Sequence, residues 1–238
     1  MRPLIVAHRG DSKYYPENTR SAFISAMKKE ADLLETDVRK TKDGKLICIH
    51  DAYVDRVTNW KHSGYVRNLE SELLERMKVF NPITGREDRI LFFDDFLELT
   101  RGERIIVEIK ESGIEKKVVE KILEYGREKE SIISSFVYES LEKVKKLKHD
   151  IKRIIIYTYP PLDFYEQVLS HEVDGLAISY ASLNLMSKEI DEKLKKLRRK
   201  GKLLGVYTID DQKIIKEVSD YVDVVVTNDP GLAKTCLE

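Results

Sequence analysis

The chain has 238 residues, enough to bury one large core, and its 42 lysines and arginines balance 42 aspartates and glutamates. Zero net charge argues against a general nucleic-acid or membrane surface, and two cysteines form neither a disulfide framework nor a zinc pattern. No apolar run approaches the roughly 20 residues of a membrane span, and Met1-Arg2-Pro3 leads into too few apolar residues for a signal peptide, so a soluble cytoplasmic protein without stable membrane insertion is expected.

The first apolar run, Leu4-Ile5-Val6-Ala7, reads as a buried strand that stops at His8-Arg9-Gly10. Pro16-Glu17-Asn18-Thr19 then opens a helical stretch. Leu33-Leu34 ends in Glu35-Thr36-Asp37, Leu46-Ile47-Cys48-Ile49 in His50-Asp51, and Ile105-Ile106-Val107 in Glu108-Ile109-Lys110. Beyond these, apolar runs alternate with helical patterns. One stripe runs from Ile114 through Val118, Val119, Ile122 and Leu123. Others follow Leu141, Val144 and Leu147, then Ile190, Leu194 and Leu197, then Ile214, Ile215 and Val218. Such alternation predicts a parallel sheet with helical crossovers. Strands near residues 4–8, 33–38, 105–109, 131–135, 153–157, 175–179, 203–208 and 222–226 number eight. The economical fold is α/β, a single-domain (β/α)8 TIM barrel over residues 1–238, with a doubly wound open sheet as the alternative. No Gly-rich nucleotide loop follows any strand, which weakens the open sheet. Residues 45–90 are too long for one crossover and predict a small insertion after barrel strand 2, on the barrel's C-terminal face. Cys48 reads as a small core residue.

Two histidines, three carboxylates, an arginine and a lysine thus fall at strand ends. Glu35 and Asp37, two apart on a strand, face the same side. With Glu108 they make an all-oxygen set suited to Mg²⁺ or Ca²⁺, with Mn²⁺ also possible, and poor for zinc. The plainer alternative pairs Glu35 and Glu108 with Arg39 and Lys110 as salt bridges. His8 and His50 suit acid–base work near neutrality, and cleavage of a phosphodiester needs both an acceptor and a donor of protons. Arg9 can fork onto a phosphate and Lys110 supplies a point charge. Glu17 either reaches back to a ligand or favours the helix N-terminus. Asn18 and Thr19 read as cap and turn residues. His62, His149 and His171 read as surface residues.

Taken together, these segments resemble the glycerophosphodiester phosphodiesterase family. The match runs from His8-Arg9-Gly10 and Pro16-Glu17-Asn18-Thr19 through Glu35-Thr36-Asp37, Thr41-Lys42-Asp43-Gly44 and His50-Asp51. It continues with Asp55-Arg56-Val57-Thr58-Asn59, Val107-Glu108-Ile109-Lys110, Ser134-Ser135-Phe136, Val206-Tyr207-Thr208-Ile209-Asp210 and Thr227-Asn228-Asp229-Pro230. The resemblance implies His8 and His50 as the catalytic pair and Glu35, Asp37 and Glu108 as ligands of one divalent metal. Arg9, Lys110 and Tyr207 would then contact substrate. The implied reaction takes a small-molecule glycerophosphodiester to sn-glycerol 3-phosphate and an alcohol. Tyr207 stands where the family often has tryptophan, Asp210 where it often has asparagine, and Ile90-Leu91-Phe92-Phe93-Asp94-Asp95 lacks the usual proline-threonine pair. The alternatives are a lysophospholipase D-like activity, with Trp60, Tyr65 and Val66 accepting an acyl chain, a non-catalytic barrel that binds phosphate ligands, and a metal-dependent sugar isomerase. The sequence is silent on oligomeric state.

Overall fold

A computed structural model describes residues 2–58, 64–183, 185 and 187–238. The first half holds β1 (Leu4–His8), α1 (Arg20–Lys28), β2 (Leu33–Lys40), β3 (Leu46–Cys48), α2 (Ser71–Glu75), β4 (Lys78–Phe80), β5 (Glu87–Arg89), α3 (Phe93–Leu99), β6 (Ile105–Ile109) and α4 (Glu115–Glu124). The second holds β7 (Ser131–Ser135), α5 (Tyr138–Leu147), β8 (Lys152–Tyr157), α6 (Phe164–Ser170), β9 (Gly175–Ser179), α7 (Tyr180–Leu183), α8 (Lys188–Arg199), β10 (Leu203–Tyr207), α9 (Gln212–Val218), β11 (Val224–Thr227) and α10 (Pro230–Leu237). Strands β1, β11, β10, β9, β8, β7, β6 and β2 pair in parallel in that order, and β1 pairs with β2 to close a TIM barrel. Closure leaves the eight barrel strands no open edge among themselves.

Strand periodicity divides each barrel strand between two cores. Ile5 and Ala7 face the helices with Leu34, Val107 and Phe23, whereas Val6, Leu33, Ile132 and Val226 meet inside the barrel. The helices cover the outside with stripes at helical spacing, as in α4, where Val118, Val119 and Ile122 are buried. Phe23 of α1 meets Phe96 of α3 edge to face at 4.8 Å. Full burial of each such ring contributes about 2 kcal/mol.

The eighth barrel strand begins at Val224 rather than at 222. The Val222 amide still bonds Val218 O at the end of α9, so it is not available to the sheet. Leu46–Cys48 forms β3, which is not a barrel strand. It pairs antiparallel with the end of β2, Val38 opposite Cys48. The hairpin turn is closed by Thr41 N to Lys45 O at 2.9 Å, with Gly44 at φ +86°. That conformation favours glycine. Between β3 and α3 the chain builds a core of its own, where Val54, Val57, Val66, Leu74, Met77 and Val79 pack on Ile47 and Ile49. Cys48 is buried, as expected. Among the described residues no helix is long and apolar enough to cross a membrane.

Candidate active site

The barrel mouth collects the carboxylates through backbone register. Glu35 and Asp37 share the parity of Leu33, which lies inside the barrel. In-register pairing sets Asp37 beside Glu108 on β6 and Glu35 beside His8 on β1. One oxygen from each of Glu35, Asp37 and Glu108 lies within 4.8 Å of the others. Two cations flank them. Lys110 Nζ is 2.6 Å from Glu108 Oε1 and 3.2 Å from Asp37 Oδ1, and Arg9 Nε is 3.0 Å from Asp37 Oδ2. Arg9 and Asn18 both adopt left-handed backbone, φ 58° and 57°. For residues other than glycine this is strained, and such strain persists where surrounding bonds enforce it. Here Arg9 N donates to Glu35 Oε2 (2.9 Å), and Asn18 N donates to Arg9 O (3.0 Å).

The two histidines reach the mouth by different routes. His8 ends β1. His50 returns on the β2–β3 hairpin, with Ile49 N bonded to Asp37 O at 3.0 Å. His8 Nδ1 lies 2.7 Å from Asn228 Oδ1. Asn228 Nδ2 donates to Asp210 Oδ2 (2.6 Å), so the amide oxygen faces His8, with Ser12 Oγ sharing its proton between His8 O (2.7 Å) and Asn228 Oδ1 (2.9 Å). His8 therefore carries its proton on Nδ1 and leaves Nε2 bare. His50 Nδ1 lies 2.6 Å from Asp51 Oδ1. Arg56 binds the other oxygen of Asp51, and it also forks onto Glu17, which in turn accepts from Arg9.

Burial and charge divide the titrations. Burial and the Arg9 cation push His8 down to about 4. Burial also lowers His50, against the pull of Asp37 and Asp51. Burial, together with the facing Asp37 and Glu108 carboxylates, raises Glu35 well above the usual range. Burial and Asp37 lift Glu108 to about 7 despite Lys110. Burial would raise Asp37 too, but Arg9 and Lys110 override it and hold this carboxyl below its usual value. Like charges crowded in a dry site share out protonation in this way.

His8, Arg9, Glu35, His50, Glu108, Lys110 and Tyr207 all line one cavity of about 180 Å³, and Asp37 is held against them by its contacts to Arg9 and Lys110. The salt-bridge alternative holds for Glu108 with Lys110 but not for Glu35, because Arg39 turns instead to Glu111 and to His50 O. Asn18 is more than a turn residue. Its Nδ2 donates to Asp37 Oδ2 (2.8 Å), and its Oδ1 accepts from Thr36 (2.8 Å). His149 is exposed, as expected, but His171 packs on the Tyr138 ring and bonds Glu142. Val66 is buried and Tyr65 stacks edge-on with Tyr53, so Val66 is not available to an acyl chain. Trp60 and His62 lie outside the described residues. Arg56 and Asn228 stood in quoted motifs without a role. Asn228 lies 220 positions from His8 and Arg56 lies 39 from Glu17, and neither contact has a local signal.

A family model described as the glycerophosphoryl diester phosphodiesterase family matches residues 8–232. A glycerophosphodiester phosphodiesterase of Caldanaerobacter subterraneus subsp. tengcongensis is 34% identical, covering 97% of this chain and 96% of its own. The crystal structure of a glycerophosphodiester phosphodiesterase from Thermotoga maritima is 28% identical with a TM-score of 0.80, over 98% of this chain and 97% of that one. An Oleispira antarctica phosphodiesterase, solved with the product sn-glycerol-3-phosphate, shares the fold at 22% identity and a TM-score of 0.85, over 99% and 96%.

Proposed function

Since the chain belongs to the glycerophosphoryl diester phosphodiesterase family and is an enzyme of that class, we propose that its barrel mouth uses one divalent cation and the His8–His50 pair to release sn-glycerol 3-phosphate and an alcohol. The observation that carries this reading is the meeting of both imidazoles and three carboxylates around one cavity.

The residues fit a cation. The buried oxygens Asp37 Oδ1 and Glu108 Oε1 share the single Lys110 ammonium, and three carboxylates outnumber the flanking Arg9 and Lys110 by one charge. Glu35, Asp37 and Glu108 would hold the ion, and their oxygens suit Mg²⁺ or Ca²⁺, with Mn²⁺ also acceptable. When bound, the ion supplies positive charge that neutralises the cluster and favours an anionic phosphate. Arg9 and Lys110 add fixed charge on the cavity wall for the non-bridging oxygens. Tyr207 lines the same wall.

His8 is neutral with a bare Nε2, which suits it to take the proton from the nucleophile, either water or the glycerol 2-hydroxyl. His50 is backed by the Asp51 carboxylate, which stabilises the imidazolium against the lowering by burial and so suits it to protonate the departing alkoxide. The decisive experiment assays a panel of glycerophosphodiesters with Mg²⁺, Mn²⁺ and Ca²⁺ after chelation, with product identification. Release of sn-glycerol 3-phosphate in the presence of an ion supports the reading. No release from any ester with any ion defeats it.

A second reading has its own observation. Phe136, Tyr159, Leu162 and Leu185 are exposed apolar residues in the loops that follow β7, β8 and β9 with α7. They favour substrates carrying one acyl chain. Comparing glycerophosphocholine with lysophosphatidylcholine separates the two.

A further inference from the structure

Arg56 lies between β3 and α2, outside the barrel strands. Its guanidinium grips two carboxylates from separate parts of the chain. Nε donates to Asp51 Oδ2 at 2.5 Å, while Nη1 and Nη2 donate to the two oxygens of Glu17, each at 2.8 Å. Each carboxylate also holds a group at the cavity. Asp51 Oδ1 is 2.6 Å from His50 Nδ1, and Glu17 Oε1 accepts from Arg9 Nη1 at 2.9 Å. Arg9 then meets Asp37. A continuous chain of contacts therefore links His50, Asp51, Arg56, Glu17, Arg9 and Asp37.

We propose that Arg56 is a positioning residue for phosphodiester cleavage: by clamping Asp51 and Glu17 together it sets the His50 ring and the Arg9 guanidinium at a fixed separation across the cavity mouth. The proposal rests on the reading of His50 and Arg9 as members of the active site.

Three physical points support it. Asp51 and Glu17 are both anionic, and a cation between them removes the repulsion that would otherwise separate them. The geometry is a planar fork engaging both oxygens of Glu17, which fixes direction as well as distance; a lysine ammonium has no such fork. The Arg56 side chain is 49% exposed, and exposed ion pairs contribute little to stability. The same contacts at the mouth matter for rate, because small displacements of a reacting group are costly.

The test uses the full chain, loaded with Mg²⁺ or Mn²⁺, acting on glycerophosphocholine. Arg56→Ala is expected to lower kcat roughly 10- to 100-fold while KM moves less than about threefold. Its Tm should stay within about 2 °C of wild type. Arg56→Lys should recover part of kcat but not all of it, since charge returns without the fork. An R56A kcat within twofold of wild type overturns the proposal, as does R56K turnover equal to wild type. A fall in Tm that accompanies the loss of kcat in both variants also overturns it, since the role would then be structural. Failure of the parent reading is seen separately, in wild-type protein that leaves the ester uncut.

Discussion

The barrel strands and the segment between β3 and α3 hold two halves of one site by different means. On the barrel side, Glu35, Asp37 and Glu108 sit at strand positions dictated by parallel register, and Asp37 is wholly buried. On the other side, His50 and Arg56 are 34% and 49% exposed and are held by side-chain ion pairs. Backbone pairing fixes charges that repel one another and would not assemble unaided. Side-chain contacts suffice for the more exposed His50 imidazole. Perturbing the barrel half should therefore cost both stability and activity, and perturbing the other half should cost activity alone.

The largest effect is expected from Asp37→Ala. It removes the acceptor of the buried Asn18 amide and one partner each of Arg9 and Lys110, which keep Glu17 and Glu108, so metal-dependent turnover should vanish and stability should fall by about 1–3 kcal/mol. Urea unfolding and a chelation–readdition assay measure the two losses, and a variant as stable as wild type would erase the contrast between the halves.

Next come the histidines. His8→Ala and His50→Ala should each lower kcat roughly 10²- to 10⁴-fold. The two should differ in rescue. Imidazole added to the buffer should restore more of the activity of H50A, whose side chain lies 34% exposed, than of H8A, whose ring sits at the end of a barrel strand against Asn228. Equal rescue of both would break the distinction.

A third test uses pH. Burial and Asp37 raise Glu108 to about 7, so below that pH a bound cation must displace a proton. Apparent affinity for Mn²⁺, followed by calorimetry on chelated protein, should therefore weaken as pH falls from about 7.5 to 5.5, by at least about tenfold per pH unit at the acid end, since the raised Glu35 must lose its proton too. Affinity that holds constant over this range would show that Glu108 is not a ligand.

Smaller changes sharpen the picture. Asn228→Ala frees His8 Nδ1 and should cost roughly tenfold in kcat with little change in KM. Tyr207→Phe removes a buried hydroxyl that makes no well-formed hydrogen bond. It should leave kcat within about threefold and Tm within about 2 °C of wild type. A much larger drop in kcat would give that hydroxyl a direct role toward substrate.

The barrel was legible because its strands are buried on both faces and its helices on one, and both patterns repeat locally. The carboxylates were legible for the same reason: residues 35 and 37 must share a face wherever that strand goes. The turn at Asn18 was legible because a short polar side chain tolerates left-handed backbone, but only packing brings that side chain under Asp37. Val66 looked free to take an acyl chain because nothing local shows that the segment after β3 closes on a core of its own.

The amino-acid sequence alone determined the alternating elements, the facing of Glu35 with Asp37 and the chemical kinds of side chain at strand ends, since each follows from local periodicity and residue type. Tertiary structure alone decided that His50 comes home on an antiparallel hairpin, that Asn228 sets the proton of a histidine 220 positions away, and that Arg56 bridges Asp51 to Glu17. The physical reason is one of range. Burial patterns are written every two or four residues, whereas a hydrogen bond between distant segments exists only once barrel closure has brought them together.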